Sequence, residues 1–291
     1  MASTSGEGLM ADALDWCRTR MLGRGSPLAA SLLFAPQKWQ DGIVALRTVI
    51  SEIAAVPDTV SEPDIGRQKL AWWRDALRDR AAHPAIEALV ASGAADRLVP
   101  ERFDGLIATV METFESPRFE RSEDAWRHCM ALGGPATGLE AELIDPEGEG
   151  VDDWFAMGAY AYLVRLVRDL GIDARANRWL VPLDLQAEYQ LARRDVLDDS
   201  PGRGWDGMVR AWLADGERRV DSVLETLPAE RCWRQRHLMI AHALDRRLAQ
   251  ALARHPRRIL DRRVQTGHPG NVWRAWRTAR RLHRQVGLSQ N

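Results

Sequence analysis

Residues 161–182, AYLVRLVRDLGIDARANRWLVP, decide how this chain is read. They read as the end of a buried helix, an acidic turn and an apolar exit. Asp169 and Asp173 stand one helical turn apart, so their carboxylates leave the same face. Arg165 lies one turn earlier on that face, and Arg168, Arg175 and Arg178 surround the pair. Val164, Leu166, Val167 and Leu170 fill the other faces, which predicts a mostly buried helix. Carboxylates on such a helix must be paired or must hold a metal. Two readings stay open. One is an i,i+4 ion-pair ladder, stabilising by about 0.2–0.5 kcal/mol per pair. The other is an oxygen-ligand site for Mg²⁺, which takes one or two carboxylates plus phosphate oxygens.

The rest of the chain sets the frame. Its 291 residues are 45% hydrophobic, enough for a core, and the formal net charge of −1 gives no global field to steer it to nucleic acid. Cys17, Cys129 and Cys232 are far apart and form no CxxC, which points to a reducing compartment. The N-terminus lacks the build of a signal peptide, and no apolar run approaches the roughly 20 residues of a membrane span. The expectation is a soluble cytoplasmic protein.

Outward from 161–182 the helical period dominates and no run alternates long enough for a strand. Residues 1–9 are expected to be flexible. Helices are expected at about 38–56, from Ser61-Glu62-Pro63 to about 83, and at 84–92, 99–114, 122–140, 151–170, 184–193, 206–226, 229–253 and 271–285. Pro57 ends one of them. Gly133-Gly134-Pro135 is a loop or a helix kink. Without repeats or flexible linkers, residues 10–291 form one all-α domain.

Residues 163–182 resemble the second aspartate motif of the squalene/phytoene synthase family, which includes the presqualene diphosphate synthases. That motif has the form Asn-x-x-x-Asp-x-x-Glu-Asp, then Ala-Arg-x-x-Arg and an exit ending in Pro. The chain keeps Asp169, Gly171, Asp173-Ala174-Arg175, Arg178 and Pro182; Arg165 replaces the Asn and Ile172 the Glu. Lys69-Leu-Ala-Trp-Trp-Arg74 is similar to the segment after the family's first aspartate motif. Counting back places Ala54, Ala55 and Asp58 on that Asp-Asp-x-x-Asp. Gly25-Ser26, residues 31–36 and Ala45-Leu46 resemble the family's substrate-entry and Ala-Leu-Tyr segments. The run RTVISEIA…SEP…LAWWRDAL also looks like the branch that includes a mitochondrial complex I assembly factor.

The resemblance implies an isoprenoid-synthase-like bundle with a central cavity between the helices of residues 46–56 and 151–170. It also implies an allylic diphosphate held by a Mg²⁺ cluster between two acidic walls. On that pattern Asp58, Asp169 and Asp173 are the candidate catalytic residues, and Asp169 and Asp173 the metal ligands. Arg165, Arg168, Arg175, Arg178, Lys69 and Trp72 are the candidate substrate-binding residues; at most one of Trp72 and Trp73 faces a cavity. Alanines at 54 and 55 offer no ligand. A guanidinium at 165 puts a permanent cation where a metal should sit, and is expected to pair with Asp169. The expectation is a non-catalytic member that binds a prenyl diphosphate or lipid, through arginines without metal, or acts as an accessory or assembly protein. The alternative is a Mg²⁺-dependent head-to-head prenyltransferase.

The tail, residues 271–286, places Trp273, Trp276 and Leu282 roughly on one side, among Arg274, Arg277, Arg280 and Arg284. It reads as a terminal helix docked by its tryptophans with its arginines in water. The alternatives are a partner-binding helix or one lying on the membrane's inner face.

Overall fold

Prolines punctuate the first half of the chain at helix starts, where a missing N–H costs nothing. Pro27, Pro63 and Pro84 each open a helix, and Pro57 lies at the start of another. The computed structural model describes residues 3–23, 26–60, 62–115, 117–148, 150–198 and 202–289; Gly25 and Ser61 lie outside them.

The helices are α1 (Ser3–Met21), α2 (Pro27–Leu32), α3 (Gln40–Ala54), α4 (Val56–Thr59), α5 (Pro63–Asp79), α6 (Pro84–Ala91), α7 (Asp104–Glu112) and α8 (Ser122–Ile144). There follow α9 (Phe155–Arg175), α10 (Leu183–Glu188), α11 (Arg193–Leu197), α12 (Trp205–Leu224), α13 (Ala229–Arg234), α14 (Arg236–Arg254), α15 (Arg258–Asp261) and α16 (His268–Ser289). No strand occurs among the described residues, as the period indicates.

Several boundaries differ from expectation: α10 ends at Glu188 and not at 193, and the single helix expected at 229–253 is two, α13 and α14, with Gln235 between them. Helix α1 begins at Ser3, ahead of the point where its amphipathic pattern starts. Helix α9 does not turn after Leu170 but continues to Arg175. Gly171 sits there as a contact point: a Cβ would meet the backbone of Ile259 and Leu260. The small residue serves close packing against α15.

The core has two main parts. One gathers α3, α5, α6 and α7 around Ile43, Leu46, Leu70, Trp73 and Leu106. The other gathers α9, α12 and α14 around Tyr160, Val164, Trp205, Met208 and Leu252. Helix α8 supplies side chains to both, with Cys129 on one side and Leu139 on the other, so the halves make one domain. It stays continuous through Pro135. The Thr137 hydroxyl donates to the Trp154 carbonyl at 2.7 Å, tying α8 to the start of α9. At Gly133 and Gly158 the two backbones touch; a Cβ on either would stand on the other's carbonyl. That approach fixes α9, and hence the acidic stretch, against the molecule's central helix. No described helix is long and apolar enough to cross a membrane.

Candidate active-site cavity

A cavity of about 1140 Å³ lies between the two core halves. Helix α3 turns Arg47, Ile50, Ser51 and Ala54 toward it, and α9 turns Gly158, Ala161, Tyr162, Arg165, Asp169 and Asp173. Gly158, Tyr162, Arg165, Asp169 and Asp173 recur every three or four residues, the spacing of one helix face, and Ala161 borders it. The cavity therefore lies where the resemblance implies, between the helices carrying residues 46–56 and 151–170.

Of the expected site residues, Asp58, Arg165, Arg168, Asp169, Asp173 and Arg178 line this cavity. Three do not. Lys69 is exposed on α5. Trp72 is 43% exposed, its ring edge-on to Trp73 and His83, while Trp73 is buried in the core. Neither indole lines the cavity, because the first wall is built by α3, α4 and only the first residue of α5, Pro63. Arg175 points away and donates to the carbonyls of Gly171 at 2.9 Å and Leu260 at 2.7 Å.

The carboxylates are engaged by guanidinium groups. Asp169 takes two hydrogen bonds from Arg168, at 2.9 and 2.7 Å, and two from Arg263, at 2.9 and 3.1 Å. Burial alone would raise its pKa, but these bonds outweigh burial and hold it below the ordinary value. Arg178 joins the two walls: it donates to Asp58 at 2.8 Å and to Asp173 at 2.7 and 3.2 Å. The expected ladder from Arg165 to Asp169 does not form, since neighbouring arginines already occupy Asp169.

Arg165 instead reaches into the cavity with no hydrogen bond or close ion pair among the described residues. Desolvation lowers its pKa, opposed by Asp245 of α14 at longer range; a guanidinium stays charged regardless. Beside it, Arg47 is bound bidentately to Glu140, which is 0% exposed and also 3.3 Å from His237. Burial would raise the Glu140 pKa, yet Arg47 and His237 bring it down.

Sequence reasoning missed Arg47, Asp245 and Arg263. Arg47 was within reach, because it directly follows Ala45-Leu46, where the resembled motif has Tyr. Asp245 and Arg263 carry no local signal.

Seven arginines and four aspartates line the cavity, so its polar wall is net positive. Ile50, Val110, Phe114, Leu132 and Met157 supply apolar lining. Such a space suits a molecule with an anionic end and an apolar body. The residues present do not fit a Mg²⁺ cluster. No three metal-ligating side chains come together among the described residues, and Asp58, Asp169 and Asp173 each hold an arginine.

A family model described as Squalene/phytoene synthase matches residues 23–269. No curated protein matches the sequence. Among solved structures, a dehydrosqualene synthase in complex with ligand superposes with a TM-score of 0.72 at 13% identity, covering 94% of this chain and 98% of that one. YisP from Bacillus subtilis gives 0.70 at 14%, covering 95% and 100%. Squalene synthase HpnC from Alicyclobacillus acidocaldarius gives 0.70 at 15%, covering 87% and 96%. At these identities the superpositions speak to the fold alone.

Proposed function

The chain belongs to the squalene/phytoene synthase family, and from that premise we propose that it is a non-catalytic member that binds an isoprenoid diphosphate or similar anionic lipid without metal, as a binding or accessory protein. The observation that carries this reading is the Arg178 bridge between Asp58 and Asp173. A guanidinium occupies the place between the walls that the family's metal chemistry needs. Alanines at 54 and 55 leave Asp58 as the only carboxylate of the first motif. Arg165 is open to a ligand's anion because, unlike Arg47, Arg168, Arg178 and Arg263 on the same cavity wall, it is bonded to no carboxylate among the described residues.

The test is calorimetric titration with farnesyl and geranylgeranyl diphosphate in the presence of EDTA. Binding without metal, weakened at least tenfold in Arg165→Met, is the expected result. Absence of binding under those conditions overturns the proposal.

A second reading, a Mg²⁺-dependent head-to-head prenyltransferase, is favoured by one observation: Asp58 and Asp173 face each other within the span of one guanidinium. Incubation with either diphosphate and Mg²⁺ separates the two readings. Product with released diphosphate, lost in Asp169→Ala, establishes the enzyme.

A further inference from the structure

Helix α16 docks by the opposite side from the one its tryptophans suggest. It buries Asn271, Ala275, Thr278, Ala279 and Leu282, with Ala275 and Ala279 against Ala30 of α2 and Ile240 and Leu244 of α14. The outer strip carries Trp273, Trp276, Arg277, Arg280 and Arg284; Trp273, Arg277, Arg280 and Arg284 are spaced by three or four residues and hence lie on one side, with Trp276 beside Arg277. Trp273 is 58% exposed and Trp276 41%. Their rings stack at 5.0 Å, and the Arg280 guanidinium lies 4.8 Å over Trp276.

The charge here is of one sign. From Arg262 to Ser289 the sequence has no Asp or Glu. Arg274, Arg277, Arg280, Arg281 and Arg284 make no ion pair among the described residues, whereas Arg246 on the neighbouring α14 pairs with Glu217 and Asp221. Arg274 feels the repulsion: after desolvation, the charges of Arg246, Arg277, Arg281 and Arg247 pull its pKa down. A folded protein that leaves two indoles in water among uncompensated cations is presenting them to something.

We propose that the outer strip of α16 docks the protein onto an anionic lipid surface, with Trp273 and Trp276 at headgroup level and Arg277, Arg280 and Arg284 against lipid phosphates. Indole rings favour the boundary between apolar and wet layers, and basic residues beside them meet the negative headgroups. The strip's arginines and indole N–H groups are all donors. A protein partner would have to place carboxylates in register with them, whereas a headgroup layer offers acceptors everywhere.

The position bears on the cavity. Helix α2 packs Ala30 against α16 while its Pro27, Leu28 and Ser31 line the cavity. One short helix thus separates the docking helix from the space that takes the ligand, which puts that wall beside the bilayer.

The test is co-flotation of the full chain with vesicles of phosphatidylglycerol and phosphatidylcholine in equal parts, against phosphatidylcholine alone. The expected result is binding to the anionic vesicles only, weakened by added salt. Each arginine near such a surface is worth about fivefold in partition. The triple variant Arg277→Gln, Arg280→Gln, Arg284→Gln should lose about a hundredfold. The double variant Trp273→Ser, Trp276→Ser should lose at least tenfold. All five side chains are exposed or nearly half-exposed on the outer strip, so melting temperature and diphosphate binding should stay at wild-type values; that separates this proposal from the reading of the cavity. Failure of the wild type to float with anionic vesicles overturns the proposal. So does flotation that survives both variants, equal binding to neutral vesicles, or tighter binding to polyglutamate or duplex DNA.

Discussion

Arg178 and Asp58 close an ion pair between positions 120 residues apart, Nη1 to Oδ1 at 2.8 Å. Through the same guanidinium Asp58 is tied to Asp173, so the two walls of the cavity are joined by a cation supplied by the chain itself.

Removing that cation should leave the two aspartates open to a divalent ion. In Arg178→Gln, Asp58 and Asp173 face each other without compensation, an arrangement that invites a divalent ion. Arg178 and Asp58 are half-exposed or more, at 50% and 63% of the side chain, so the substitution itself should cost less than about 1 kcal/mol. The expected outcome is a melting temperature that rises with Mg²⁺ in the variant and not in the wild type. An equal response in both would show that the aspartates are available to metal despite the bridge.

A larger effect is expected at Glu140. Its side chain is 0% exposed and receives the Arg47 guanidinium and a ring nitrogen of His237. Glu140→Ala strands a guanidinium within the fold. Breaking a buried pair from one side costs about 3–5 kcal/mol. Urea denaturation should show that loss, and replacing Arg47 and Glu140 together by Met and Leu should recover most of it. A single-variant loss below about 1 kcal/mol would mean that water reaches Arg47 and replaces the pair.

These ion pairs also mark how far the sequence could be read. Helix positions were legible because prolines fall at starts, as at Pro63 and Pro84, and because apolar residues recur at the helical period. The wall of α9 was legible because Arg165, Asp169 and Asp173 share a face in any helix. Which arginine meets which aspartate was not. Arg263 reaches Asp169 from 94 residues away, through a path that only the packing of α15 on α9 determines. The docking of α16 was misread for a related reason. Tryptophan carries the greater apolar area, but it is Ala275 and Ala279 that pack against Ala30 of α2 and Ile240 and Leu244 of α14.

Acid should weaken the fold before its carboxylates titrate. His242 is 4% exposed, has no hydrogen-bond partner at either ring nitrogen, and packs edge-on to Tyr160 at 5.4 Å. Burial, with repulsion from Arg246 and Arg281, pulls its pKa from 6.5 down to about 3. The unfolded chain therefore binds a proton below 6.5 that the folded chain refuses until about 3. Stability falls as pH drops through that window, by about 2 kcal/mol at pH 5 for this group. His128, lowered to about 4 by burial, adds a loss of the same sign. Asp169 and Glu140, with depressed pKa values, keep their stabilisation at pH 5 and lose it in stronger acid. In His242→Leu the drop in unfolding free energy between pH 7 and pH 5 should shrink by about 2 kcal/mol. An unchanged drop would show that His242 is hydrated in the cavity.

The contact that positions the acidic wall is also the least tolerant of added volume. At Gly158 a Cβ would stand against the Gly133 carbonyl and 2.6 Å from the Thr137 hydroxyl. Thr137 cannot retreat without giving up its bond to the Trp154 carbonyl. Neither neighbour is the free end of a flexible chain, so α8 and α9 must separate. Overpacking of this kind costs about 1–3 kcal/mol, or more where backbone must shift. Gly158→Ala should lose about 3 kcal/mol in urea denaturation, well above the gain alanine brings to helix propensity. Because α9 carries Arg165, Asp169 and Asp173, its displacement should also weaken diphosphate binding in the folded fraction. Gly105→Ala serves as the control: that glycine lies in helix α7 and nothing stands within 4 Å of its would-be Cβ. It should stabilise the protein by up to about 1 kcal/mol. If Gly158→Ala behaves like Gly105→Ala, the backbone contact between α8 and α9 is looser than described, and the acidic wall is held by its ion pairs instead.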